Sequence, residues 1–148
     1  MTKDRRSQLR EVTFLILFRT DFYAPEDMPA QIKDFFEGEE EFEQSEMETV
    51  AAKVLNIINK IPEIDAYLDS ISEGWKTKRM STADLTILRL AYYEMKYDDE
   101  VPTGAAINEA VELAKNYGEE KSFSFVNGIL GKAAKEMAGK KQQVSGDQ

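Results

Sequence analysis

The chain has 148 residues, 42% of them apolar and 32% charged, with 28 acids against 19 bases for a net charge of −9, and it contains neither cysteine nor histidine. Those two absences exclude disulfides, thiolate nucleophiles, Cys/His metal knuckles, the Ser-His-Asp triad and any imidazole base. The length and apolar content suit one folded domain with a core of its own.

The charge is unevenly spread. Residues 1–20 carry a net +3, residues 21–73 a net −12, and residues 74–148 balance. A polyanion is therefore tolerated at the N-terminus and repelled by the middle. The apolar run Phe14-Leu15-Ile16-Leu17-Phe18 is too short for a signal segment and is flanked by Arg10 and Arg19. No other stretch approaches a membrane span, and the Glu-rich, cysteine-free composition fits a reducing cytosol. The expectation is a cytoplasmic protein that does not engage a membrane.

In chain order, nearly every segment carries apolar residues at the helical period, and none alternates long enough for a strand. The first helix is expected over about Asp4–Phe22, apolar nearly all round between Phe14 and Phe18, and Pro25 and Pro29 break the chain after it. A short helix follows with Ile32, Phe35 and Phe36 inward, then an acidic connector from Gly38 to Glu43. Ser45-Glu46-Met47-Glu48 fits a capping box opening a helix to about Lys60, with Val50, Val54, Leu55, Ile57, Ile58 and Ile61 as core. Pro62 is expected to start another short helix carrying Ile64, Tyr67, Leu68 and Ile71, closed by Gly74.

Ser81-Thr82-Ala83-Asp84 is a second capping box, heading a helix whose apolar face holds Leu85, Leu88, Tyr92 and Met95. A further helix spans about Thr103–Tyr117 with Gly118 after it, and the last spans about Ser122–Ala138, closed by Gly139. Seven helices in a single domain over 1–139 result, with a disordered polar tail at 140–148.

Three features stand out. Arg6, Arg10, Phe14 and Phe18 recur every four residues, so on a helix two guanidiniums precede two aromatic rings in one drifting row. That row suits single-stranded RNA, since guanidinium forks meet phosphates and rings stack on bases, although aromatics at this spacing are commonly core. Gly128 and Gly131 interrupt an apolar helical pattern. Close helix packing is the favoured reason, and backbone approach to a ligand the alternative. Arg89, in a strongly apolar helix, is expected to form a structural pair, with Glu94, Asn108 and Glu109 as candidate partners.

The blocks Arg10-Glu11, Ile87-Leu88-Arg89-Leu90-Ala91-Tyr92-Tyr93-Glu94-Met95, Val101-Pro102, Ala106 through Lys115 (AINEAVELAK) and Phe125-Val126-Asn127-Gly128-Ile129-Leu130, in this order and spacing, resemble the bacterial transcription antitermination factor NusB family. The resemblance covers Arg5 to about Met137. It implies an all-α fold of two small subbundles around a long N-terminal helix. It also implies binding to the boxA element of ribosomal RNA leader transcripts together with NusE, a small-subunit ribosomal protein. That complex joins RNA polymerase and other Nus factors to suppress premature termination, and some members of the family form homodimers that occlude the RNA surface.

By that resemblance, the arginine-rich N-terminal motif carries over to Arg6 and Arg10, with Arg5 nearby. The aromatic of the first helix corresponds to Phe18, and the aromatic before Val-Asn-Gly to Phe125. The sequence departs from the family at Ser7, where an arginine is common, and at Ser124, where a lysine is common. Lys121 restores some attraction. The implied RNA surface is thus Arg5, Arg6, Arg10, Phe18, Lys121, Ser124 and Phe125, with no catalytic residue, cofactor or metal. The other reading is a helical interaction module that binds itself or NusE with little RNA affinity, which the missing cations at Ser7 and Ser124 favour. Catalysis is not expected. The acids gather in a connector, and the chain holds no methyltransferase-type cofactor domain such as is fused to NusB-like domains elsewhere.

Overall fold

Helix α1 (Lys3–Phe18) begins where the Thr2 hydroxyl accepts the Arg5 amide at 3.1 Å and Asp4 sits in the positive first turn. It is followed by α2 (Met28–Phe36), α3 (Gln44–Ile71), α4 (Thr82–Tyr97), α5 (Thr103–Tyr117) and α6 (Ser122–Gly146), with single 3-10 turns at Arg19–Asp21, Pro25–Asp27 and Thr77–Arg79. The computed structural model describes the backbone of residues 2–146 and the side chains of residues 2–140, and no strand occurs among them. The chain divides into two units, Met1–Pro62 and Glu63–Gln148.

In the first unit α1 buries Leu9, Val12, Thr13, Phe14, Ile16 and Leu17, α2 buries Met28, Ile32 and Phe36, and the first half of α3 buries Val50, Val54 and Ile57. Phe35 stays half-exposed, under the Arg19 guanidinium at 5.5 Å. In the second unit α4, α5 and α6 pack on one another. Their core holds Leu85, Leu88, Tyr92, Ala106, Ala110, Leu113, Ala114, Val126, Ile129, Leu130 and Ala133, while Ile107 and Val111 are only half-buried.

Among the described residues six helices stand where seven were expected, because α3 runs through Pro62. Proline removes one amide donor and crowds the preceding turn, at a cost of about 3 kcal/mol. Against this, Val50, Val54, Ile57, Ile61, Ile64, Leu68 and Ile71 continue one stripe at alternating steps of four and three across the proline. Six of the seven are buried, each worth roughly 1.5–3 kcal/mol, and Pro62 itself is exposed.

Helix α1 stops at Phe18 rather than Phe22, and Arg19–Asp21 form a tighter turn. At the other end α6 continues past Ala138. Only Gly38 and Gly74 adopt positive φ among the described residues, so Gly139 makes no left-handed cap. The tail expected at 140–148 falls mainly on side chains outside those described. The backbone of α6 reaches Gly146, and residues 147–148 lie outside the description.

The start of α3 is two residues earlier than the box at Ser45 and Glu48 would place it, with a carboxylate-to-amide bond of the kind expected there. Glu43 is the residue before the helix, and its amide donates to Glu46 Oε1 at 3.0 Å. The α4 cap is where the sequence placed it, with the Ser81 hydroxyl accepting the Asp84 amide at 3.1 Å. Arg89 forks onto Asp65, Nε to Oδ1 at 2.8 Å and NH2 to Oδ2 at 2.7 Å, a partner that the sequence did not offer. Asp65 lies on the stretch of α3 beyond Pro62, which the sequence reads as a separate helix.

Candidate nucleic-acid interface

The row on α1 separates by depth. Each four-residue step turns the helix by about 40° beyond a full circle, so a row that begins facing water rotates into the core. Arg6 is exposed and its side chain makes no hydrogen bond or ion pair among the described residues. Arg10 is half-buried and engaged within the chain. Phe14 is 1% exposed, so it is a core residue.

Phe18 is half-exposed at the end of the helix, with its ring 6.2 Å from Phe14 in an edge-on arrangement. Phe22, which the sequence reading did not assign to the surface, continues the ladder. Its ring is 5.7 Å from Phe18, and it is 64% exposed beside the exposed Tyr23. The four-residue spacing from Phe18 was the signal available for it.

Arg5 is committed elsewhere. Its Nε donates to Glu46 Oε2 at 2.7 Å and its NH2 to Glu46 Oε1 at 2.6 Å, while NH1 reaches Gln8 at 2.9 Å and NH2 the Glu41 carbonyl at 3.0 Å. Its guanidinium also lies 5.2 Å over the Phe42 ring. A phosphate would have to displace these partners. The acidic connector thus folds against the basic helix, and the Arg5 hydrogen bonds, then the Glu43 amide, hold the Glu46 carboxyl down at about 2.

The remaining candidates lie in the second unit. Lys121 precedes α6, and its carbonyl accepts the Phe125 amide at 3.1 Å. The lysine is exposed and its side chain makes no hydrogen bond or ion pair among the described residues, Ser124 is exposed, and Phe125 is half-buried. Lys121 and Phe125 are one turn apart on the same side, with Ser124 about 100° round the helix.

The connector that carries Lys121 is tightly held. The buried Ser122 hydroxyl accepts the Glu119 amide at 2.9 Å, and a Cβ on Gly118 would stand 2.5 Å from the Ser122 Cβ. Gly118 is therefore needed for room and not for a left-handed turn, since its φ is −91°. Gly128 and Gly131 show the reverse, with nothing within 4 Å of an added Cβ. Close helix packing among the described residues does not explain them.

Cation and ring together at these two places can meet phosphate and base without any bond being made or broken. Among the described residues no three acidic side chains are placed to hold a metal ion, and no helix is long and apolar enough to cross a membrane.

Comparison with known proteins gives the same family that the sequence blocks resemble. The NusB family model matches residues 7–135. The transcription antitermination protein NusB of Lachnoclostridium phytofermentans is 45% identical over 127 residues, covering 86% of this chain and 96% of that protein. The structure of T. maritima NusB superposes with a TM-score of 0.81 at 34% identity, covering 88% of this chain and 91% of that one. A NusB chain solved with NusE and double-stranded RNA superposes with a TM-score of 0.79 at 25% identity, covering 91% of this chain and 99% of that one.

Proposed function

Because the chain belongs to the NusB family, we propose that it is a cytoplasmic antitermination factor that binds boxA RNA of ribosomal RNA leaders together with NusE. In that role it keeps RNA polymerase, with other Nus factors, processive through those operons. The observation that carries the reading is the agreement of sequence and fold over nearly the whole chain with proteins of that role, one of them solved with NusE and RNA. The match spans both units, which supports treating residues 1–139 as one functional domain with no catalytic step.

In this reading Arg6 and Arg10 neutralise phosphates, Phe18 offers a stacking face, and Lys121, Ser124 and Phe125 supply the second-unit contacts. Arg5 belongs to the same basic helix but acts mainly by anchoring the Glu41–Glu46 segment. Its engagement favours a factor that depends heavily on its protein partner, and carries the second reading, an interaction module with little RNA affinity of its own. Anisotropy titrations of a boxA oligonucleotide against a scrambled one, with and without NusE, separate the two. A boxA preference in the presence of NusE is expected. No preference in either condition contradicts RNA recognition and leaves the interaction module.

A further inference from the structure

Between Glu73 and Asp84 the chain has no acid, and in that interval Lys76, Lys78 and Arg79 follow closely on Trp75, its one tryptophan. The segment links the end of α3 to the start of α4. Its backbone is firmly built. Gly74 turns it through a φ of +73°, and the Ser72 hydroxyl donates to the Trp75 carbonyl. The Thr77 amide and hydroxyl donate to Asp69 at 2.7 and 3.2 Å, and Lys76 Nζ reaches the Asp69 carbonyl at 2.7 Å. Thr77 and Met80 are buried.

What this scaffold holds outward is an indole 48% exposed, and on the same loop Lys78 and Arg79 are exposed, their side chains making no hydrogen bond or ion pair among the described residues. A large apolar ring kept in water by an ordered loop that also carries two exposed cations has the composition of a stacking platform on a phosphate track.

The loop also adjoins α6. Lys132 Nζ donates to the Ile71 carbonyl at 3.4 Å, at the root of the loop. Lys121, Phe125, Gly128, Lys132 and Lys135 recur at steps of four and three, so they lie along one side of α6 over roughly 21 Å, and none is fully buried. The open space at Gly128 leaves the middle of that side clear.

We propose that Trp75, Lys78 and Arg79 form a second contact for single-stranded RNA. It takes nucleotides that continue from the Lys121–Phe125 surface along α6, with a base stacked on the indole and phosphates on the two cations. The proposal rests on the reading of the chain as an RNA-binding factor. An acidic peptide would use the cations but leave the indole plane without a role, so RNA is the better match.

Trp75 is its own probe. Full-length protein with NusE is titrated with boxA alone and with boxA extended by about ten unpaired nucleotides on either side, reading RNA anisotropy and Trp75 emission against a Trp75→Phe control. The extended RNA is expected to bind about 10-fold more tightly and to quench Trp75. Trp75→Ala and the double variant Lys78→Gln/Arg79→Gln should lose that gain while binding boxA alone as before.

Equal affinity for the two RNAs, or a gain that survives in both variants, overturns the proposal. So does loss of NusE binding by Trp75→Ala in the absence of RNA, which would assign the loop to a protein contact. If boxA itself is not bound, the functional reading fails separately, and the flanking oligonucleotide alone still decides the proposal through quenching of Trp75.

Discussion

Glu46 holds Arg5 in a two-point fork, at 2.7 and 2.6 Å, while the same carboxylate accepts the Glu43 amide at 3.0 Å. One acid thus caps α3 and neutralises a base of α1. The surplus of positive charge in the first twenty residues overstates what is available to a polyanion, because Arg5 already has an anion of its own.

The contrast between Arg5 and its neighbour is measurable. Each phosphate contact on a single strand contributes about 0.7 to the slope of log affinity against log salt. Arg6→Ala should flatten the slope of boxA binding by about that amount, whereas Arg5→Ala should change it less and cost thermal stability instead. Anisotropy at four salt concentrations with parallel melting curves checks both. Equal slope changes for the two variants would contradict the division of labour.

The Arg5–Glu46 pair also sets a pH dependence. The Glu46 carboxyl titrates near 2 in the folded chain, below its ordinary value of 4.5. A depressed carboxylate adds stability above its unfolded pKa and loses it as pH falls through the folded one. The melting temperature of the parent should therefore exceed that of Glu46→Gln by a constant margin above about pH 5, and the margin should shrink steadily between 4.5 and 2. The pair is solvent-screened, so added salt should reduce the margin too. A margin unchanged at pH 2 would rule out the charged pair as its source.

Two glycines should respond oppositely to alanine. At Gly118 the new Cβ meets Ser122 Cβ at 2.5 Å, Ser122 Oγ at 2.6 Å and the Ala114 carbonyl at 2.8 Å, so Gly118→Ala should destabilise by about 1–3 kcal/mol in chemical denaturation. At Gly128 nothing lies within 4 Å, and Gly128→Ala should stabilise by up to about 1 kcal/mol through helix propensity alone.

Helix type, the α4 cap at Ser81 and the buried Ile32 and Phe36 of α2 and Leu85, Leu88 and Tyr92 of α4 follow from local periodicity and capping chemistry, and were legible, whereas Phe35 and Met95, expected on the same faces, are only half-buried. The continuity of α3 through Pro62 was not, because the stripe that outweighs the proline is recognisable only once both halves share a register. The Asp65 partner of Arg89 was lost with it. Both candidate RNA surfaces came from spacing and from family resemblance, yet spacing could not say that the same four-residue row passes from an exposed Arg6 to a buried Phe14. Nor could it say that Glu46, inside the expected capping box, would engage Arg5.

The Arg89–Asp65 fork, with side chains 12% and 23% exposed, should behave as a coupled unit. Arg89→Met and Asp65→Asn should each destabilise, and the double variant should be more stable than the sum of the two losses implies, with a coupling of about 1–3 kcal/mol by denaturant titration. Additive losses would mean that the pair contributes little beyond its packing.

The central claim is that this chain promotes transcription through boxA RNA, and a reconstituted elongation assay tests it most directly. RNA polymerase transcribes a ribosomal leader carrying boxA upstream of a terminator, in the presence of NusE and the other Nus factors, with and without this protein. The account predicts that the protein raises readthrough on the boxA template, that the increase disappears when boxA is scrambled, and that Arg6→Ala with Arg10→Ala abolishes it. Readthrough that is unchanged by the protein, or raised equally on the scrambled template, would contradict it.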